Sequence, residues 1–146
     1  MDTVRPRKYE FAVLVVIIAV LALLLMGALQ RAGGEFEEAS VQSEVAAMRI
    51  ELLDWVAHRE TYGGKLPESR NPVVWIGRQP EGYVGELDEA PSQPAVWYYD
   101  KKQQLLVYRF RSGREARFRL VVGAEAAGVP AALAGVALRR MDVVGQ

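Results

Sequence analysis

Cysteine is absent from the 146 residues, and histidine occurs once, as His58. Without a thiol the chain has no disulfide framework, no thiolate metal site and no cysteine nucleophile, so any domain it builds must hold by packing alone. Net charge is lacking as well, because 18 basic and 18 acidic residues cancel. A protein whose main partner is a nucleic-acid backbone carries a basic excess, which sets that class aside. A catalytic set is equally hard to find. His58 follows Asp54 by four residues, the spacing of a surface pair on a helix, and no serine or second base is placed to complete a nucleophilic set. Gly63-Gly64-Lys65 has none of the rest of a phosphate loop and reads as a helix terminator. These absences predict a non-enzymatic protein without a cofactor.

What the chain does have is a long hydrophobic run. From Glu10 to Leu29 a single carboxylate is followed by nineteen uncharged residues. At ~1.5 Å per residue Phe11 to Leu29 spans about 28 Å as a helix, close to the ~30 Å hydrocarbon thickness of a bilayer. A cleavable signal peptide has an apolar core of only ~7 to 15 residues ending in A-x-A, whereas this run is longer and leads into Gly27-Ala28-Leu29-Gln30-Arg31. A buried core helix would need more hydrophobic bulk around it than a chain of this length offers. Residues 10–30 therefore read as a retained membrane anchor, with Glu10 at the edge, where the penalty for a charge is least. Arg5, Arg7 and Lys8 precede the anchor, and near its other end stand only Arg31 and, further on, Arg49. This bias predicts a cytoplasmic tail over residues 1–9, in which Pro6 keeps the helix from starting before Arg7. The bulk of the chain would lie across the membrane; in a bacterium, that is a single-pass inner-membrane protein facing the periplasm.

About 115 residues remain beyond the anchor, enough for one small domain. Gly33-Gly34 weakens the helix at the membrane surface and would permit a joint there. Over residues 31–62 the apolar positions Val41, Val45, Met48, Leu52 and Trp55 or Val56 recur at steps of three and four, one face of an amphipathic periplasmic helix, and Tyr62-Gly63-Gly64 ends it. Residues 63–146 switch to period 2 with proline and glycine punctuation. A loop from Lys65 to about Pro94 holds one strand-like patch, Val73-Val74-Trp75-Ile76. Strands are then predicted at Ala95–Tyr99, Leu105–Arg111 and Glu115–Val122, joined as an antiparallel meander. Val136-Ala137-Leu138 and Val143-Val144 are left as strand or helix pieces. The expected fold class is α+β: a long N-terminal helix, transmembrane and then amphipathic, packed on a small antiparallel sheet. Leu106, Tyr108, Phe110, Ala116, Phe118, Leu120 and Val122 should face Val45, Met48, Leu52 and Trp55 of the helix.

The opposite sheet face would carry Arg109, Arg111, Arg117 and Arg119. Like charges on neighbouring strands repel, so acids from this chain or from a partner subunit should meet them, which makes the four arginines a candidate interface. Glu86, Asp88 and Glu89 carry oxygen ligands for a calcium ion, although their spacing matches no dedicated calcium loop and a solvated acidic turn explains them as well. Trp75, Trp97, Tyr98 and Tyr99, with the proline-rich loop, would line a ligand cleft if the protein were instead a membrane-anchored periplasmic binding or sensor module.

The order of these segments resembles the type IV pilin and type II secretion pseudopilin family. The residues that carry the resemblance are Glu10 ahead of Phe11-Ala12-Val13-Leu14-Val15, the amphipathic stretch Val41 to Val56, Asn71-Pro72-Val73, Pro80-Glu81-Gly82-Tyr83-Val84-Gly85, and Val96-Trp97-Tyr98-Tyr99-Asp100 leading into Leu106-Val107-Tyr108-Arg109. Within the family the chain is most similar to accessory proteins of mannose-sensitive haemagglutinin (MSHA) pilus biogenesis. The resemblance implies a pilin-like fold, a role in assembling a type IV pilus or a related secretion filament, and partners among other pilin-like subunits or the assembly platform. It also implies that Glu10 takes the place of the glutamate that meets a neighbour's freed amino terminus. Arg5 stands where filament-forming members have the glycine before the cleavage point, so processing by a prepilin peptidase is not expected, and Arg7 or Lys8 is left as the partner of Glu10.

Overall fold

In a computed structural model the described residues are 7–129 and 135–141. Arg5 and Pro6 of the expected tail, and the Val143-Val144 piece, lie outside them. The chain divides into two compact units, Met1–Ala39 and Ser40–Gln146. Helix α1 (Arg7–Tyr62) contributes to both and keeps helical backbone through Gly33 and Gly34.

Within the first unit α1 is apolar on every side over residues 11–29, and no residue of its most apolar stretch is buried. Phe11, Leu23 and Leu29 are among the exposed side chains. A core helix would have them covered. Among the described residues this is one helix long and apolar enough to cross a membrane, near the N-terminus.

In the second unit α1 is one-sided. Val41, Val45, Met48, Leu52 and Val56 are buried, while Ile50, on the far side of the same turns, is exposed. The stripe packs on a five-stranded sheet of order β1-β2-β3-β4-β5. Its strands are β1 (Tyr83–Leu87), β2 (Val96–Asp100), β3 (Leu105–Arg109), β4 (Glu115–Val122) and β5 (Val136–Arg140). Leu106, Phe110, Ala116, Phe118 and Leu120 meet the stripe as the alternation requires, with Tyr108 and Trp55 packed at the margin.

The sheet is mixed, which corrects the expected all-antiparallel arrangement: β1 runs parallel to β2, with Tyr83 opposite Trp97 and Leu87 opposite Asp100. A parallel neighbour requires the chain to travel back along the strand. A five-residue strand is about 17 Å long, and the link 88–95, with Pro91 and Pro94 favouring extended backbone, reaches that far at up to ~3.3–3.6 Å per residue. Ala95 then turns into β2 with φ 57° and donates its N–H to the Arg109 carbonyl at 2.7 Å. The strand at residues 83–87 escapes a period-2 reading because Gly85, at φ 106°, sits where the register shifts between Tyr83 and Glu86.

Val73-Val74-Trp75-Ile76 is helical, not strand-like: it belongs to α2 (Pro72–Ile76). Local signals outweigh the β-branched residues. Asn71 caps the start by accepting from the Val73 N–H at 3.0 Å, Pro72 occupies the first turn, and Gly77 closes the end at φ 68°. β3 also stops short of Arg111, because the Phe110 N–H bonds to the Arg114 carbonyl around the turn holding Gly113. The piece at Val136-Ala137-Leu138 is strand β5, antiparallel to β4.

Helix α1 also guards the sheet's edge. Because Met141 and Gly123 donate to Arg117 and Gly135, the β4–β5 bonds fall on odd-numbered residues, and the Leu138 carbonyl points away from β4. Arg49 satisfies that carbonyl with Nε at 3.2 Å and Nη2 at 3.1 Å. On this packing Met48→Ala, at a side chain with no exposed surface, is expected to cost about 2–5 kcal/mol, whereas Ile50→Ala should stay within about 0.5 kcal/mol. Denaturant titration of both variants in detergent checks this; equal losses would contradict the one-sided helix.

Candidate functional site

The sheet face turned away from α1 is built by the residues that the core alternation leaves over. β4 sends Phe118 and Leu120 inward, so Arg117 and Arg119 point outward, and β3 sends Arg109 to the same side. Arg111 is not with them; it lies in the turn between β3 and β4. Nor is the face a bare arginine stripe. Tyr98, Leu105 and Val107 are buried on it, with Leu87 and Met141 packed against them.

Of the three expected arginines that reach this face, two are held within the chain. Arg109 donates from Nη1 to the Pro91 carbonyl at 2.9 Å and so ties down the link that makes β1 parallel. Arg117 donates from Nη2 to Glu115 Oε2 at 3.0 Å, a same-face neighbour two residues away. Arg119 is different. It stands directly opposite Arg139 of β5, and both are exposed. Arg139 was beyond a sequence reading that left β5 unassigned, although the alternation of inward Val136 and Leu138 with outward Ala137 and Arg139 was there to find it.

The carboxylates of the acidic turn do not converge. Glu86 accepts from Asn71 Nδ2 at 2.9 Å, and Asp88 pairs with Lys101 at 2.9 Å. Among the described residues no group of three or more histidine, aspartate or glutamate side chains is placed to share a cation. His58 lies against the ring of Tyr62, centroids 4.6 Å apart, one turn further along α1. Glu10 is exposed in the first turn of α1.

The aromatic residues pack inside the fold instead of opening a cleft. Trp75 packs on Trp55 at 5.1 Å and donates Nε1 to the Ser69 carbonyl at 2.6 Å, while Trp97 sits between Tyr108 and Phe118. Tyr98 and Tyr99 point to opposite faces, and both phenols are pushed up to about 12. Burial is the main cause for each, with the Glu115 carboxylate next in importance for Tyr98 and Glu86 for Tyr99.

Two polar clamps that the sequence did not announce fix α2 and its flanks. Asn71, 1% exposed, uses its whole side chain: Oδ1 caps α2, and Nδ2 donates to the Tyr83 hydroxyl at 3.0 Å as well as to Glu86. Arg78 reaches two acids one heptad apart on α1, donating to Glu44 at 2.7 Å and to Glu51 at 2.8 Å. Its guanidinium is raised above the ordinary arginine value, first by the hydrogen bond to Glu44.

No family model, curated protein or solved structure matches the chain.

Two outcomes follow from this geometry. Asn71→Ala strips the cap and leaves the Tyr83 and Glu86 groups short of a donor, so a loss of about 1–3 kcal/mol is expected in thermal or denaturant unfolding; a loss below 0.5 kcal/mol would mean that solvent replaces the clamp. For Tyr98 and Tyr99 the folded state keeps its protons to higher pH than the unfolded chain, where phenols titrate near 10. The associated stability is thus complete below about pH 10 and is lost as pH rises toward about 12. A tyrosinate absorbance titration should show a late step that shrinks in Tyr98→Phe; a single step near pH 10 in folded protein would contradict the burial of these rings.

Proposed function

We propose that this chain is a non-enzymatic, single-pass inner-membrane protein acting in assembly of a type IV pilus, MSHA-like, or of a related secretion filament. Its N-terminus lies in the cytoplasm and its sheet-bearing unit in the periplasm. The observation that carries the reading is the change of character along α1: apolar on all sides and unburied in its first part, then one-sided and packed on a small sheet. The first part suits lipid or other apolar helices as its surroundings; the second ties the same helix to a folded side surface. Assembly then proceeds by lateral packing of the apolar helix against those of other pilin-like subunits or platform proteins, while the sheet and loops meet neighbours outside the bilayer.

Arg5 at the position of the cleavage glycine supports an accessory or priming component that stays in the membrane, and under that reading Glu10 is a charge at the membrane boundary. The rival reading, an anchored ligand-binding or sensor module, depended on an aromatic cleft, and Trp75, Trp97 and Tyr99 belong to the core instead.

Intact mass and N-terminal sequencing of protein from native membranes, with and without prepilin peptidase, test the processing state. A chain keeping Arg5, Arg7 and Lys8 in both backgrounds is expected; a start near Pro6 only when the peptidase is present would make it a processed filament subunit. Deleting the gene should abolish surface filaments or the secretion that depends on them, and unchanged filaments and secretion would sink the assembly role. Leu21→Arg, in the middle of the apolar stretch, carries an insertion penalty of about 2.5–3.5 kcal/mol and should move protein from the carbonate-resistant membrane fraction to the soluble or degraded one.

A further inference from the structure

β4 and β5 bring two arginines together on the sheet face turned away from α1. The hydrogen bonds between the strands fall on odd-numbered residues, because Met141 donates to Arg117 and Gly123 to Gly135, so Arg119 and Arg139 are a directly bonded pair. In such a pair the Cα atoms lie about 5.5 Å apart, and the two side chains leave the sheet on the same side. Like charges so placed are destabilising. Neither guanidinium has an acid or another hydrogen-bond partner among the described residues, and both residues are exposed.

The pair lines a cavity of about 510 Å³. Gln103 and Gln104 of the β2–β3 turn bound it, with Gln104 beside Leu120 where the β3–β4 register is continued, and Glu125 bounds it from the 3-10 turn at Gly123–Ala126. The backbone of β4 is closed off there, since Leu120 is 2% exposed. A ligand therefore meets side chains. A third arginine, Arg70, comes from the segment ahead of α2 and stands 3.6 Å from Glu125. Three guanidinium groups against that one carboxylate leave the lining with an excess of two positive charges.

We propose that this cavity binds a phosphate monoester group, held between Arg119 and Arg139. A guanidinium presents a planar fork of N–H donors that matches phosphate oxygens. A phosphate monoester brings a charge of about −1.5 to −2 and three acceptor oxygens, enough to answer two forks at once and to cancel the excess. A carboxylate brings a single negative charge and leaves half of the excess standing. The amides of Gln103 and Gln104 supply both donors and acceptors, which suits a hydroxylated body attached to the phosphate. The site is independent of which assembly the apolar helix serves.

The probe is glycerol 3-phosphate, titrated against the full-length protein in neutral detergent and followed by the melting temperature, with ionic strength held constant by sodium chloride. A saturable rise is expected, as for a ligand that binds only the folded state, while glycerol and acetate leave the melting temperature unchanged. Arg119→Gln with Arg139→Gln should weaken the apparent affinity at least tenfold with an unchanged circular dichroism spectrum. The single variant Arg119→Glu guards against a folding artefact: it gives Arg139 an opposite charge across the strand pair, so it should melt above the parent without ligand and show no rise with it. An equal rise with acetate, a rise that never saturates, or an undiminished response in the folded double variant would overturn the proposal. Repeating the titration in nanodiscs identifies the source of the phosphate. Loss of the response when phosphatidic acid replaces part of the phosphatidylcholine assigns a lipid headgroup, and an unchanged response assigns a soluble phosphate; both results keep the phosphate at Arg119 and Arg139.

Discussion

The stripe Val41, Val45, Met48, Leu52 and Val56 is the contact on which the rest of the folded unit depends. It is the only apolar face that α1 offers to the sheet, and every strand from β2 to β5 sends a side chain to the layer beneath it. With no cysteine in the chain, that layer takes the role a disulfide has in many small domains. The polar contacts are arranged around it and fix geometry at its margins: Arg78 reaches Glu44 and Glu51 on one flank of the helix, and Arg49 reaches the Leu138 carbonyl on another. The first connects α1 to a residue just beyond α2, and the second adds a polar bond to a strand, β5, that the stripe also packs on.

The polar clamps also fix the path of a loop rich in proline. Asn71 joins the start of α2 to β1 through Tyr83 and Glu86, and Arg109 joins the returning link to the end of β3 through Pro91. Together they hold β1 in a parallel position that no short turn would create. The outer sheet face is then divided between a small apolar patch around Tyr98 and Val107 and the charged corner at Arg119 and Arg139.

Long-period features were legible in the sequence and short, locally capped ones were not. The anchor and the amphipathic stripe extend over many turns, so their periodicity is strong, and β4 alternates over eight residues. By contrast, β1 has a glycine at its centre and a register shift, which erase the period-2 signal. Pro72–Ile76 reads as a strand because its side chains favour one, while its conformation is decided by the residues on either side, Asn71 and Gly77. The arginine face was half legible: alternation on β4 gave Arg117 and Arg119, but which charges are answered depends on contacts distant in sequence, such as Arg109 with Pro91 and Arg119 with Arg139.

The bond from Arg49 to Leu138 spans 89 residues, and β5 completes the sheet from the far end of the described chain. Synthesis runs from the N-terminus, so α1 emerges long before the last strand that closes over its stripe. Until β5 arrives, the part of the stripe that Val136 and Leu138 cover and the unfinished edge of β4 are both open to whatever is nearby. The strands pair with their neighbours in sequence, but the contact of β5 with α1 joins distant parts of the chain, and contacts of high sequence separation are slow to form. The interval between the appearance of the helix and its enclosure is therefore built into the order of the chain, and it is the period in which a chaperone or a partner's strand would have its best access to this protein.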